Sequence, residues 1–488
     1  MIAFLNWLDG VLWGVPLIAL MILTGLYFTV RSGFFQFRHF GWIMKRTGGK
    51  LFQKEKEASE GKGMLSSFEA ISTAIGGTVG FGNIAGVATA VAAGGPGAIM
   101  WMWLSSLLGM ILKQVEVTLG CYYRHTNEKG EYYGGPTYYM ECGLGEERHW
   151  GKLWLIPALI FGIGIFSTFF VTSSNLTASQ VVAGAFGIEN INLGSFKVEG
   201  VIVMGVLLCI LTYVVTSGGT KKIASLFSKL VPFMSVLYIL MGIGMIININ
   251  RVPGVFTAIV TNAFTGTAAI GGFAGCAVSE IIRVGMARSV YSNEAGWGTS
   301  PMIHASAKTP HPVEQGLWGS FEVFFDTMVI CTITALSVIL SGNWTDGTNG
   351  GTLALSAFAS GFGKFGSILL AVIMVIFTVT TSGGWFTYYL AILEHLYKKE
   401  GKMKDIVFYA VRALPGVLWT IYLVKTNNQG FIWTVVDITS AIPTFVNVAV
   451  ILILSNQYFK LLKDYKARNF GQGTVDKNAC LFYEEKTK

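Results

Sequence analysis

The chain has 488 residues, of which 52% are hydrophobic and 13% charged, with a formal net charge of +8. Soluble domains carry about 25% charged residues. Soluble chains of this length divide into domains with large polar surfaces, so composition excludes a soluble globular protein. The placement of the basic residues, described below, turns the positive charge away from nucleic acid.

The first apolar block, VLWGVPLIALMILTGLYFTV (11–30), has no charge and is long enough to cross a hydrocarbon core. No basic residue precedes it and no small-residue cleavage site follows, so it does not read as a removable signal. Blocks of the same kind recur to the end of the chain. They predict about eleven spans, near 11–30, 68–91, 98–120, 153–177, 200–217, 228–248, 266–286, 317–341, 366–395, 404–424 and 430–456. The stretch 249–265 is short and broken and reads as a re-entrant or surface helix. The fold class is therefore an all-α polytopic membrane protein.

Segments 31–67, 118–152, 217–229, 283–316, 395–405 and 457–488 hold 8, 4, 3, 3, 4 and 7 Lys/Arg. The alternate segments hold four: Lys197, Arg251, Lys364 and Lys425. Positive charge marks the cytoplasmic side, so the N-terminus is expected outside and the C-terminus in the cytoplasm, in a cell (inner) membrane. The mixed aromatic and basic stretch 31–46 is expected along the inner interface, touching anionic lipid. No feature points to nucleic acid or to an obligate protein partner. The six cysteines form no CxxC pair, which gives no reason to expect a metal site or disulfides.

Two spans are dense in glycine. The second reads ISTAIGGTVGFGNIAGVATA (71–90) and the seventh AAIGGFAGCAVSEII (268–282). Glycine in a membrane helix also serves close packing. Here, however, the two glycine-rich spans open two sets of five spans, and paired interrupted helices in corresponding positions mark the midplane site of a secondary transporter. A break near Thr78–Gly82 exposes carbonyls of Ala74–Gly77 at a negative helix end, which suit a cation. It also exposes N–H groups of Gly82–Ala85 at a positive helix start, which suit a carboxylate. An amino acid carried with Na+ fits both. The ninth span, FTVTTSGGWFTYY (377–389), adds the hydroxyls of Thr380 and Thr381, although threonine also bonds back to its own helix. Trp385 and Phe273 could wall the pocket or simply pack.

Acids inside spans are functional candidates. The spacing pairs Glu116 with Lys113 and Glu280 with Arg283, each at i, i+3. Glu322, Asp326 and Asp437 have no obvious local partner. Glu294 and His304 are expected in the cytoplasmic loop after the seventh span. No nucleophile–base set is present, which argues against an enzyme, and no repeated filter sequence argues for a channel, kept as a distant alternative.

The series GNIAGVA (82–88), GGPGAIMWMWLSSLLG (94–109), GGPTYYM (134–140), AFTGTAAIGGFAG (263–275), SNEAGWGTSP (292–301), HPVEQG (311–316), FFDTMVICTITAL (324–336) and WTVVDITSAIPTFVN (433–447) resembles the alanine or glycine:cation symporter family. The resemblance implies a LeuT-type 5+5 inverted repeat preceded by one extra N-terminal helix. The corresponding segments are 1–67 (extra helix and interfacial segment), 68–248, a connector at 249–265, 266–456, and a cytoplasmic tail at 457–488. It implies import of alanine or glycine with Na+ as coupling ion and no cofactor. The alternatives are serine or glutamine as cargo, or coupling to H+. By the same resemblance Gly80, Phe81, Gly82, Asn83, Asn175, Gly271, Gly272, Phe273 and Trp385 would hold the substrate, and Ala74, Gly77, Thr380 and Thr381 the cation. The chain departs from the family at Phe81, where threonine is common, and at Glu69 and Glu280, where glutamine is common.

Overall fold

The computed structural model describes residues 2–50, 63–128, 130–170, 174–193, 196–247, 251–271, 273–397, 415–422, 424–426, 429–475 and 480–486. Among these the named strands form two short antiparallel ribbons, His125–Thr126 with Tyr132–Tyr133 and Ile191–Leu193 with Phe196–Val198, and the remaining regular elements are helices.

Seven helices among the described residues are long and apolar enough to cross a membrane: Ala3–Arg31, Gly97–Tyr122, Gly151–Thr168, Gly219–Ile246, Pro312–Ser341, Gly350–Leu396 and Trp433–Ile453. A bent pair, Ser67–Thr78 with Gly82–Gly94, makes an eighth if counted as one span. Shorter apolar helices, Gly200–Thr216 and Val252–Thr265, lie where a span and the connector were expected. Most of the expected 404–424 span lies outside the described residues. The Gly350–Leu396 helix begins earlier than its apolar block suggests and bends at Gly363, whose φ of 61° breaks the helical path.

The core is apolar, and so is much of the outer surface. Large apolar side chains such as Val15, Leu23, Ile163, Val214, Leu240 and Phe365 face outward, while Lys113, Glu116, Glu322 and Asp326 are fully buried. Such a surface is stable only where the surroundings are apolar.

The expected 266–286 span is corrected. The described residues of 266–277, which exclude Gly272, are non-helical and are tied as a hairpin by backbone bridges between Thr267 and Cys276 and between Ile270 and Phe273. Helix starts at Val278 and runs to Asn293, is interrupted, and resumes over Ser300–His304. Arg283 and Arg288 therefore belong to a helix, not to the basic loop with which the charge count grouped them.

The polar end of the chain is also structured. The Ser455–Phe470 helix packs on the 31–46 stretch: Lys466 Nζ donates to Ser32 O at 2.6 Å, and the rings of His39 and Phe470 stack at 4.3 Å.

Candidate functional site

The first broken helix stops where Val79 turns extended (ψ 99°) after Thr78. Its start is fixed by a reciprocal cap: the Ser66 hydroxyl accepts from Glu69 N–H, and Glu69 Oε2 accepts from Ser66 N–H at 2.9 Å. The chain resumes as a π-helical turn over Gly82–Gly86, 45° off the first axis. Asn83 secures the restart, because its Oδ1 accepts from Gly80 N–H at 2.8 Å.

The second broken helix ends at Asn293. Glu294 adopts a left-handed conformation (φ 56°), and Gly296 and Gly298 follow at φ 86° and 82°. This second break lies at 294–299, not at Gly271–Gly275 as the sequence reading had it. Glu294 is buried at the break, not in a loop. Thr299 Oγ1 donates to its Oε2 at 2.5 Å, and Trp385 Nε1 donates to its Oε1 at 3.2 Å.

Two contacts fix how the breaks face each other. Asn83, just after the first break, donates to Ser292 Oγ at 3.0 Å, just before the second. Thr78, just before the first break, and Ser300, just after the second, both donate to Glu322 Oε1 at 3.0 Å. As numbering rises along one helix it falls along the other, so the two helices run antiparallel with their breaks at one level. The Pro312–Ser341 helix clasps both. Glu322 holds the Thr78–Ser300 side, and Asp326, one turn on, accepts from Asn83 Nδ2, Ser292 Oγ and Thr327 Oγ1 at 2.5, 2.5 and 2.9 Å. Asp326 lies in a π-helical segment, Phe324–Cys331, opposite the π turn that carries Asn83. Such wide turns recur at functional sites.

The sequence-derived residues divide clearly. Gly80, Phe81, Gly82 and Asn83 all lie at the first break. Thr381 reaches it: its buried hydroxyl has no hydrogen-bond partner and stands 2.0 Å from where a Cβ on Gly80 would lie. Thr380, one residue back, faces elsewhere and donates to Ile376 O at 3.0 Å and Phe377 O at 3.1 Å. Gly77 meets Gly384 at a close helix crossing, where a Cβ on Gly384 would come within 2.6 Å of Gly77 Cα. The Ala74 carbonyl accepts from the Thr78 hydroxyl at 3.0 Å. Trp385 closes on the Phe81 ring at 6.1 Å between centroids.

The remaining residues are not brought there. Asn175 donates to Gly205 O at 3.1 Å and accepts from Thr420 Oγ1 at 2.8 Å, away from both breaks. Gly271 is exposed on the hairpin beside Thr345, and Phe273 packs on Trp344 at 5.4 Å. Gly272 lies outside the described residues.

Sequence reasoning missed several groups at the breaks. The Tyr291 and Trp433 rings join Trp385 around Phe81, at 5.9 and 6.5 Å. Arg288 makes a two-pronged pair with Asp437, both contacts at 2.7 Å, and lies over the Trp433 ring at 4.6 Å. The expected Lys113–Glu116 pair does not form. Lys113 turns to Glu322 at 3.0 Å, and Glu116 accepts from Asn447. The Glu280–Arg283 pair does form, at 2.5 Å, and Arg283 also reaches Asp9 at 3.0 Å. The glycines of SNEAGWGTSP are the one signal that could have located the second break.

Membrane-length helices around two opposed, antiparallel broken helices are the build of a membrane transporter. The sodium:alanine symporter family model matches residues 1–478, and the chain belongs to that family, whose members are transporters and not enzymes. It is 33% identical over 486 residues to the sodium/alanine symporter AgcS of Methanococcus maripaludis, covering 98% of this chain and 99% of the relative. It is 36% identical over 460 residues to the probable sodium/glutamine symporter GlnT of Bacillus subtilis, covering 94% and 89%. A solved manganese transporter of Eremococcus coleocola is similar at TM-score 0.47 and 14% identity, over 87% of this chain and 86% of that one.

Proposed function

We propose that this chain is a Na+-coupled symporter importing a small neutral amino acid, alanine or glycine, by alternating access around the two broken helices. The observation that carries the reading is the Thr381 hydroxyl: buried, without a partner, and pressed on the first break at Gly80. An oxygen in that position, beside the negative end of the Ser67–Thr78 half-helix, suits a hard cation. The N–H groups that open the next half-helix suit the carboxylate of an amino acid. Na+ and substrate then share one broken helix, and each favours the break geometry the other needs.

Four rings, Phe81, Tyr291, Trp385 and Trp433, crowd the same place. That crowding favours a small side chain over glutamine. The two sides of the breaks carry separate fastenings: Arg288–Asp437 with Trp433 on one, and Glu322 with Thr78 and Ser300 on the other. Opening one set while the other holds would give alternating access. A broken helix followed by a long one occurs twice, at 67–122 and 278–341, which supports a 5+5 inverted repeat of LeuT type. The basic residues outside the Val278–Asn293 helix still alternate along the chain, supporting an external N-terminus and a cytoplasmic C-terminus in a cell membrane.

Equilibrium binding of radiolabelled alanine to the purified protein tests the reading. Binding should need NaCl and be competed by glycine. Equal binding in KCl would remove Na+ from the site.

A further inference from the structure

Both helix breaks leave carbonyl ends in a low-dielectric interior, and each such end favours a positive charge. They differ in what meets them. At the first break no lysine or arginine side chain pairs with or donates to Ala74–Asn83 among the described residues, and Thr381 Oγ1 is left without a partner. At the second break Lys113 Nζ donates to the carbonyl of Asn293, the last residue of the half-helix, at 2.5 Å. Lys113 comes from the neighbouring Gly97–Tyr122 helix and is fully buried, as is its counter-charge Glu322 at 3.0 Å.

The two partners of that ammonium are hard oxygens. They are a Glu322 carboxylate oxygen at 3.0 Å and the Asn293 carbonyl at 2.5 Å, and the same Glu322 oxygen accepts from the hydroxyls of Thr78 and Ser300 at 3.0 Å each. His304 Nε2 faces the other oxygen at 3.4 Å. This donor set would serve a bare alkali cation as well as an ammonium. It also spans both breaks, since Thr78 ends one half-helix and Asn293 and Ser300 flank the other interruption.

We propose that Lys113 is a coupling cation built into the chain: its ammonium does at the second break what Na+ does at the first, and its removal opens a second Na+ site made of Glu322, Asn293 O, Thr78 and Ser300. The inference rests on the Na+-symport reading above. The wild-type protein then carries one Na+ fewer per substrate than its two breaks could hold.

The test is the Na+ dependence of alanine uptake into proteoliposomes by wild type, Lys113→Ala and the charge-free pair Lys113→Gln/Glu322→Gln, with the Na+:alanine ratio read from reversal potentials. In Lys113→Ala the Hill coefficient for Na+ and the Na+:alanine ratio should each rise by about one, as for an added required site. Its Tm should be low in KCl and recover in NaCl. The pair, with no charge to satisfy, should show no such recovery of Tm in NaCl. A folded Lys113→Ala with the wild-type Hill coefficient and no selective recovery in NaCl would overturn the proposal, as would failure to fold in either salt or the same NaCl recovery of Tm in the charge-free pair. If wild-type uptake ignores Na+, the symport reading itself falls, and that result is separate from these.

Discussion

The Thr381 hydroxyl and Gly80 occupy one small space: a Cβ added at Gly80 would lie 2.0 Å from Thr381 Oγ1. Gly80→Ala must push that oxygen away from the break. Thr381→Ala removes the oxygen and keeps the space. Both should raise the Na+ concentration for half-maximal uptake by about tenfold or more, the loss of one hydrogen-bond-strength contact to a charge. Thr380→Ala, whose hydroxyl bonds back to Ile376 O and Phe377 O, should change it little. Na+ titration of uptake in the three variants distinguishes them.

Phe81 sets the room at the break. Its ring is buried and packs against Tyr291, Trp385 and Trp433. Phe81→Thr takes out most of a ring and adds a hydroxyl. Competition against labelled alanine should shift toward larger cargo, with serine and glutamine competing several-fold better than against wild type. Unchanged competition would mean that the ring does not face the substrate.

Arg288 and Asp437 fasten one side of the breaks through two contacts of 2.7 Å, both side chains largely buried. Removing one partner strands the other charge, at a cost of about 3–5 kcal/mol for a buried pair. Arg288→Ala should therefore lower Tm and abolish concentrative uptake. Arg288→Gln/Asp437→Asn strands no charge and should recover most of the Tm but little of the uptake. Equal loss of both quantities in the two variants would make the pair structural only.

His311 gives a pH dependence. Its Nδ1 accepts Val313 N–H at 3.1 Å at the start of the Pro312–Val323 helix, and its Nε2 meets Asp464 Oδ2 at 3.2 Å. Burial drives the imidazole from 6.5 down to about 4, against the pull of Asp464. The folded state thus keeps His311 neutral, while the unfolded chain takes up a proton near its ordinary value. The contribution is whole above about pH 6.5 and is lost at about 1.4 kcal/mol per unit as pH falls from there toward 4. His311→Asn keeps a capping acceptor. Its Tm should fall less steeply than wild type over that window.

The first break was legible because its residues carry their chemistry locally: Gly80, Gly82 and Asn83 interrupt an apolar run that has no other reason to be polar. The second was not. Asn293, Glu294, Gly296 and Gly298 are what a surface loop is also made of, and only their burial by Trp385, Asn447 and Lys113 separates the two. The opposite error came from Gly271 and Gly275, which serve a hairpin. Pairing rules of i, i+3 found Glu280–Arg283 but gave Lys113 the wrong partner. Its true partner, Glu322, lies on a distant helix, and spacing carries no information about such contacts. Thr380 and Thr381 differ by one position, which on a helix is about 100° of rotation. Sequence named both, and packing decided which one faces Gly80.

The central claim is tested most directly by radiolabelled alanine uptake into liposomes holding the purified protein, with an inward Na+ gradient against matched K+ and pH gradients. The account predicts accumulation above the external concentration with Na+ alone, needing about tenfold more Na+ in Thr381→Ala. Accumulation driven by the pH gradient without Na+, or mere equilibration under every gradient by folded protein, would contradict it.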